Sequence, residues 1–374
     1  MQNNNKEKRT LIDASRLIIE SLARAGADAF IGYPITPANL LYHYGSQRMP
    51  LMLAAPDEIT TLQWMSGLAA AGKVPITATS FPGYALMIES VNMAYMMELP
   101  MVIILVQRLG PATGTATCGA QGDLSLLRGN ISGGHPMPVF STSSFADCWT
   151  LSAKAIKTAI ELRTPVVLLT SKEEVMTTKS FDLANLPEIE PIERKYYDMK
   201  CDGKYKSYKA TDLVPDFLPV TQSKHQVRIN ASTHNKEGIL QHSTDEAMAN
   251  TQRLEDKIRQ KLHDFIEYEY YESKGAEKLV VSFGITAAAA KDAVKEMEQK
   301  GEKVSLLIPK TLVPAPEVYI EIMESYKTVV VAEENINNQF SEMLYGLRKP
   351  ANHRFVGSLG KMITPQQIIE EIQA

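Results

Sequence analysis

Residues 101–124 read MVIILVQRLGPATGTATCGAQGDL. Seven residues run almost unbroken through apolar, mostly β-branched or leucine side chains. An arginine follows at once, then a loop of Gly, Thr and Ala. A run this short and apolar is a strand buried on both faces, the kind found in parallel sheets sandwiched by helices. The flanking sequence supplies the helices. YALMIESVNMAYMMEL (84–99) reads as a helix, FPG (81–83) as a turn, and VPITATS (74–80) as a β-branched strand. Further back, EITTLQWMSGLAAAG (58–72) is a helix stopped by Gly72, and ADAFIGY (27–33) is a short buried strand. Before it, residues 10–25 place Leu11, Ala14, Leu17, Ile18, Leu22 and Ala25 on one helical face, with Gly26 as the stop. Forward of the loop, SFADCWTLSAKAIKTAIELR (144–163) is a helix with Ser144 as its N-cap, and PVVLLTS (165–171) is another strand.

Strands alternating with helices define an α/β fold with a parallel sheet covered on both faces, and this first domain spans residues 1–180. Residues 181–276 are different: rich in Pro, Lys, Tyr and Asp, and irregular until a charged helix at QRLEDKIRQKLHDFIEYEYYE (252–272). Connectors of this length are uncommon unless they wrap another surface. From 277 to 374 the alternation returns: KLVVSFG, KVSLLIP and TVVVAEEN as strands, with helices between them, make a second, smaller α/β domain.

The chain has 374 residues, 44% hydrophobic and 22% charged, with a formal charge of −4. That balance suits two globular domains and offers no basic face for nucleic acid. Cys118, Cys148 and Cys201 stand far apart, without a disulfide framework or a CxxC pair for zinc or an iron–sulfur cluster. The polar start MQNNNKEKRT is not a signal peptide, and no apolar run is long enough to span a membrane. The expected compartment is the cytoplasm.

In open parallel sheets ligands bind at the carboxyl ends of the strands. The loops in question are YPITP (33–37), SFPGY (80–84) and QRLGPATGT (107–115). In IGYPITPAN (31–39) two prolines stiffen the chain and leave Thr36 at the tip, which suggests positioning rather than a plain turn. Arg108 follows an apolar strand directly. Its guanidinium can clamp a carboxylate in bidentate fashion or pair with an Asp or Glu at the sheet edge, and position alone favours neither. Glu58 opens a helix, where on position alone it complements the helix dipole, worth under about 1 kcal/mol. His135, in GNISGGHPMP, and His234, in the connector, read as ordinary solvated or hydrogen-bonded histidines. VSFGITAAAA (281–290) resembles a strand–glycine–helix nucleotide loop but lacks the three glycines of that fingerprint. The methionines of NMAYMMEL read as core. There is no Walker loop and no HExxH, and GDL (122–124) does not continue into the GDG pattern that holds magnesium and diphosphate in thiamin enzymes. A positioned arginine, a threonine loop and a glutamate with nothing to drive a reaction point to one part of a composite site.

The order GYPITP, DEITTLQWMSGLAAAG, TATSFPGYALMIE, ELPMVIILVQRLGPATG and QGDL resembles the α subunit of the 2-oxoacid:ferredoxin (or flavodoxin) oxidoreductases, thiamin diphosphate enzymes. The likeness continues through FLPVTQSKHQVRINASTHNKEG, VVVAEENINNQF and ITPQQIIEEI, covering the chain from about residue 10. The resemblance implies a pyrimidine-binding-type first domain and a transketolase C-terminal-like last domain. It implies oxidative decarboxylation of a 2-oxoacid to acyl-CoA, with electrons passed to ferredoxin or flavodoxin.

On this resemblance Glu58 matches the glutamate that hydrogen-bonds the cofactor pyrimidine, so its catalytic role outweighs dipole complementation. Thr36 matches a substrate-contacting threonine, Arg108 matches the arginine on the 2-oxoacid carboxylate, and Tyr33, Pro34 and Gly83 fall beside the cofactor. Magnesium, the diphosphate-binding residues and an iron–sulfur cluster are expected in a β subunit. A separate γ-type subunit, and a ferredoxin-like one, complete the assembly, because only 32 residues precede the YPITP loop where some relatives carry a further domain. The isolated chain is expected to be inactive.

Where many 2-oxoglutarate-type relatives read TGLPTKTEQGDL, this chain reads TGTATCGAQGDL, with Ala116, Cys118 and Ala120 in place of Pro, Lys and Glu. The GGH at 133–135 is similar to relatives acting on branched-chain 2-oxoacids. Two other readings compete: a subunit of a non-redox thiamin-dependent 2-oxoacid decarboxylase, and a non-catalytic carboxylate-binding scaffold. Cluster-binding cysteines in a partner chain would set the oxidoreductase apart from the first.

Overall fold

The computed structural model describes residues 9–198, 204–220 and 224–374; Cys201 lies outside them. Two mainly parallel sheets carry the fold. The larger has seven strands, in the spatial order Thr311–Val313, Val139–Ser141, Pro165–Ser171, Met101–Gln107, Pro75–Thr79, Ala29–Gly32, Leu51–Ala54. All neighbours are parallel except Thr311–Val313, which runs antiparallel to Val139–Ser141. Met101–Gln107 lies at the centre, and each of its residues is buried. Fully burying a Val, Leu or Ile side chain is worth about 1.5–3 kcal/mol, so this strand anchors the core.

The chain order reverses beside strand Ala29–Gly32. The next strand, Leu51–Ala54, goes to one side of it, and Pro75–Thr79 goes to the other. Such a reversal leaves a crevice at the carboxyl ends of the two central strands. YPITP leaves the end of one of them and Phe81 follows the end of the other.

Local chemistry explains the helix starts. Asp57 caps Glu58–Ala70 by accepting from the Thr60 N–H at 2.7 Å, which directs Glu58 into the first turn. Phe81–Met96 begins at the FPG expected to be a turn. Proline is tolerated there because its missing N–H would have no intrahelical partner in the first turn.

The expected helix 252–272 is also corrected. Helix Asp245–Gln260 ends before Lys261, Leu262–Phe265 forms one more turn, and Tyr268–Tyr271 becomes a strand. Alternating aromatic residues suit that strand, which pairs antiparallel with Val304–Pro309. The second sheet therefore orders as Tyr268–Tyr271, Val304–Pro309, Lys278–Ser282, Thr328–Glu333, His353–Gly357.

The last domain is tied to the first. Besides lending Thr311–Val313 to the larger sheet, it places Lys310 Nζ 2.5 Å from both Asp147 Oδ1 and Glu269 Oε1. Gln121, fully buried, donates from Nε2 to the Phe283 carbonyl (2.7 Å) and accepts at Oε1 from Thr286 Oγ1 (2.6 Å) and the Glu334 N–H (2.8 Å). The connector is held by a buried ion cluster: Lys257 Nζ lies 2.7 Å from Glu98 Oε2, and Arg253 pairs with the same carboxylate. Among the described residues no helix is long and apolar enough to cross a membrane.

Candidate active site

Three strand ends and one helix start converge at the crevice. Arg108 leaves the central strand 7% exposed, and its Nη1 donates to the Thr36 carbonyl at 2.5 Å. The stiff YPITP loop therefore supplies, through its backbone, the contact that orients the guanidinium. The Thr36 hydroxyl accepts from Asn39 Nδ2 at 3.1 Å. The remaining Arg108 donors are not satisfied: Nε is buried without a partner, and the side chain forms no ion pair among the described residues. A guanidinium has five donors, and leaving them unmet in a desolvated place is costly. Burial lowers the Arg108 pKa, while the nearby Asp123 carboxylate opposes the shift. Asp123 Oδ2 is likewise buried and unpartnered, and burial pushes that acid up to about 7 against the pull of Arg108. The sheet-edge ion pair that would have made Arg108 purely structural is absent among the described residues.

Glu58 is 7% exposed, and its side chain has no hydrogen-bond or ion-pair partner among the described residues. It lies against Gly83. A Cβ at that position would collide with Thr79 Oγ1 and stand 2.7 Å from Glu58 Oε1. Gly83 is thus the residue whose missing side chain lets the helix Phe81–Met96 start close to this carboxyl. Tyr33 and Pro34, on the loop beside it, are exposed. A largely buried glutamate without a partner among the described residues, in a cradle that any larger residue would fill, fits a group that meets it from outside the chain.

Arg108 and Phe81 open onto one cleft of about 320 Å3, whose opposite wall is formed by the second domain at Glu334–Asn337, Gln339 and Leu359. Phe81, two residues before Gly83, lines this cleft with Arg108, whereas Glu58, Gly83 and Thr36 are not among its lining residues. Glu334 was not singled out in the sequence. Burial raises its pKa to about 7, and the Glu173 carboxylate adds to the shift. Gln121 was not singled out either. The signal available for both was their position: QGD closes the glycine-rich loop, and AEEN closes a strand.

Both histidines take structural places. His234 is fully buried, with Nδ1 2.6 Å from the Ser232 carbonyl and Nε2 3.1 Å from Asn250 Nδ2. His135 Nδ1 lies 3.2 Å from Glu255 Oε2 on the connector helix. The loop of 281–290 faces Gln121 rather than a nucleotide crevice, with Gly284 at φ +61° where Gln121 Nε2 approaches.

Among the described residues, Glu58 and Arg108 thus stand without ion-pair partners near the switch point of a parallel sheet, where a second α/β domain covers Arg108. Comparison with known proteins gives the class. Residues 20–255 match the family described as pyruvate flavodoxin/ferredoxin oxidoreductase, thiamine diphosphate-binding, and residues 276–368 match pyruvate:ferredoxin oxidoreductase core domain II. The chain therefore belongs to the pyruvate flavodoxin/ferredoxin oxidoreductase family, as an α-type subunit of the 2-oxoacid:ferredoxin oxidoreductases. Among curated relatives, the 2-oxoglutarate synthase subunit KorA of Methanocaldococcus jannaschii is 29% identical over 90% of this chain and 91% of its own. The ketoisovalerate oxidoreductase subunit VorB of Methanothermobacter thermautotrophicus is 26% identical over 97% of each. A solved structure, the 2-oxoglutarate:ferredoxin oxidoreductase from Magnetococcus marinus with 2-oxoglutarate, coenzyme A and succinyl-CoA bound, superposes with a TM-score of 0.89 at 26% identity. It covers 98% of this chain, which spans 65% of that one.

Proposed function

We propose that this chain is the α subunit of a multi-subunit cytoplasmic enzyme that oxidatively decarboxylates a 2-oxoacid to acyl-CoA and passes the electrons to ferredoxin or flavodoxin. The observation that carries this reading is Arg108, buried, fixed by the Thr36 carbonyl, and left with unmet donors at the mouth of a cleft. Its free donors bind the substrate carboxylate in two-point fashion. Thr36, rigid between Pro34 and Pro37, holds that guanidinium and presents its hydroxyl to the substrate, which reduces the ordering cost on binding.

Thiamin diphosphate supplies, when bound, the carbanion chemistry that a 2-oxoacid needs to lose carbon dioxide. The residues of this chain fit its pyrimidine half. Glu58 would hydrogen-bond its pyrimidine and share a proton with it, Gly83 would leave room beside that carboxyl, and Tyr33 and Pro34 would border the same site. Magnesium, the diphosphate contacts and an iron–sulfur cluster belong to a β subunit, with a γ-type and a ferredoxin-like subunit completing the electron path.

The test is Glu58→Gln in the reconstituted complex. Turnover is expected to fall by about 10²–10⁴-fold, the range for losing a general acid–base group. Because Glu58 has no partner among the described residues, the melting temperature of the subunit is expected to stay the same. Unchanged turnover would overturn the assignment and leave a non-catalytic scaffold as the better reading.

A further inference from the structure

The cleft over Arg108 carries more information than the reaction alone requires. Arg108 is the only cationic side chain that lines it among the described residues, and the other two ionisable lining groups, Asp123 and Glu334, are carboxyls. Much of the remaining wall is apolar: Phe81, Leu109 and Ala120 on one side, Ile336 and Leu359 on the other. Ile336 is 64% exposed and Leu359 59%, so both present apolar surface that nothing among the described residues covers. The loop 109–123 that borders the cleft contains no Lys, Arg or His. Two nearby polar side chains are engaged elsewhere. Cys118 Sγ donates to the Gly360 carbonyl at 3.2 Å, and the exposed Lys349 donates to the Asn337 carbonyl at 3.3 Å.

One carboxylate is satisfied at Arg108. A second carboxylate on the same molecule would be desolvated among apolar side chains and next to two acids, with no further lining cation among the described residues to receive it. An aliphatic or aromatic side chain in the same place would instead bury the uncovered wall. We infer that the cleft selects 2-oxoacids with a single carboxylate and an apolar side chain larger than methyl, and rejects dicarboxylates of the 2-oxoglutarate type. This rests on the proposed function insofar as Arg108 is the group that holds the 2-oxo carboxylate.

The native complex, supplied with thiamin diphosphate, CoA and a low-potential acceptor dye, is to be assayed with 2-oxoisovalerate, phenylpyruvate, pyruvate and 2-oxoglutarate. The kcat/KM for the better of the first two is expected to exceed that for 2-oxoglutarate by about 100-fold or more, and that for pyruvate by about 10-fold. Calorimetric binding to the complex stripped of thiamin diphosphate gives a readout independent of turnover and is expected to show the same order. Ala120→Lys, which adds a cation to the wall, is expected to raise the 2-oxoglutarate value about 10-fold and lower the other two. 2-oxoglutarate or pyruvate as the preferred ligand in either measurement overturns the substrate class and leaves the proposed function standing. If no 2-oxoacid is turned over but calorimetry keeps the expected order, the proposed function fails and the selectivity of the cleft survives.

Discussion

Arg253 and Arg108 are both largely buried arginines near carboxylates, and they are treated in opposite ways. Arg253, on helix Asp245–Gln260, has its donors taken up. Nη1 donates to Glu98 Oε2 (3.1 Å) and the Leu213 carbonyl (2.6 Å), Nε and Nη2 donate to Asn250 Oδ1 (3.2 and 2.8 Å), and Nη2 also meets Glu98 Oε1. Arg108 makes one hydrogen bond, to a carbonyl, and leaves Nε unpartnered. The first arginine is spent on the fold, because it clips the connector to the first domain. The second leaves a buried donor that nothing among the described residues takes up. Counting satisfied donors separates the two roles where burial alone does not.

The comparison can be broken most forcefully at the connector. Arg253→Ala strands Glu98, which is fully buried, with Lys257 as its main remaining cation. The expected cost is on the order of 3 kcal/mol, seen as a lower denaturation midpoint and faster proteolysis of residues 204–260, with the KM for the 2-oxoacid little changed in the complex that does assemble. A loss of substrate affinity with stability intact would contradict the division of roles.

Gly83→Ala sharpens the other side. The added methyl meets Thr79 Oγ1 and Glu58 Oε1. Thiamin diphosphate binding to the complex is expected to weaken by about 10-fold or more, with a stability change of only about 1–2 kcal/mol from overpacking. Cofactor affinity within twofold of the unmodified protein would show that Gly83 does not border the ring.

Acidity separates the regions more gently. Burial alone would raise the Glu98 pKa, but Lys257, then Arg253 and Arg163, hold it down to about 2 from an ordinary value of 4.5. A lowered carboxyl stabilises the fold above its unfolded pKa, and that contribution is lost as the pH falls through the folded one. Helix Asp245–Gln260 is therefore expected to keep slow hydrogen exchange at pH 6 and lose protection progressively between about 4.5 and 2. Asp123 and Glu334 run the other way. Burial pushes each up to about 7, so their contribution is full below about 4 and falls as the pH rises through 7. Glu334→Gln is expected to remove roughly 2 °C of the decline in melting temperature between pH 5 and 8. An unaltered decline would place that titration elsewhere.

The alternation of strands and helices was legible because buried parallel strands announce themselves, as Met101–Gln107 and Pro165–Ser171 do. Leu51–Ala54 was not, because a short strand at the sheet edge is only half-buried and its apolar content is shared with a loop. Thr311–Val313 was not, because three residues carry no period and their pairing partner lies some 170 positions away. The helix read through 252–272 failed where charged residues favourable to a helix give way to YEYY, whose neighbours in the second sheet no local pattern reveals. At the site, Arg108 and Thr36 stood out by their places after strands, whereas position alone gave Arg108 no decided role and left Glu58 to dipole complementation; the roles proposed for them come from the family resemblance. Asp123 and Glu334 did not stand out, since both become unusual only when the second domain covers them. Gly83 was visible as a glycine in a loop, but the sequence placed it in a turn, whereas the structure shows it inside the first helical turn against a carboxyl.

The most direct test of the central claim is Arg108→Ala in the native complex, with 2-oxoacid kcat/KM and thiamin diphosphate affinity measured side by side. An arginine reserved for the substrate predicts a loss of about 100-fold or more in kcat/KM, with cofactor affinity and denaturation midpoint close to those of the unmodified protein. Equal losses in cofactor and substrate binding, or a fall in stability like that of Arg253→Ala, would show that Arg108 serves the fold and that the open cleft holds no carboxylate.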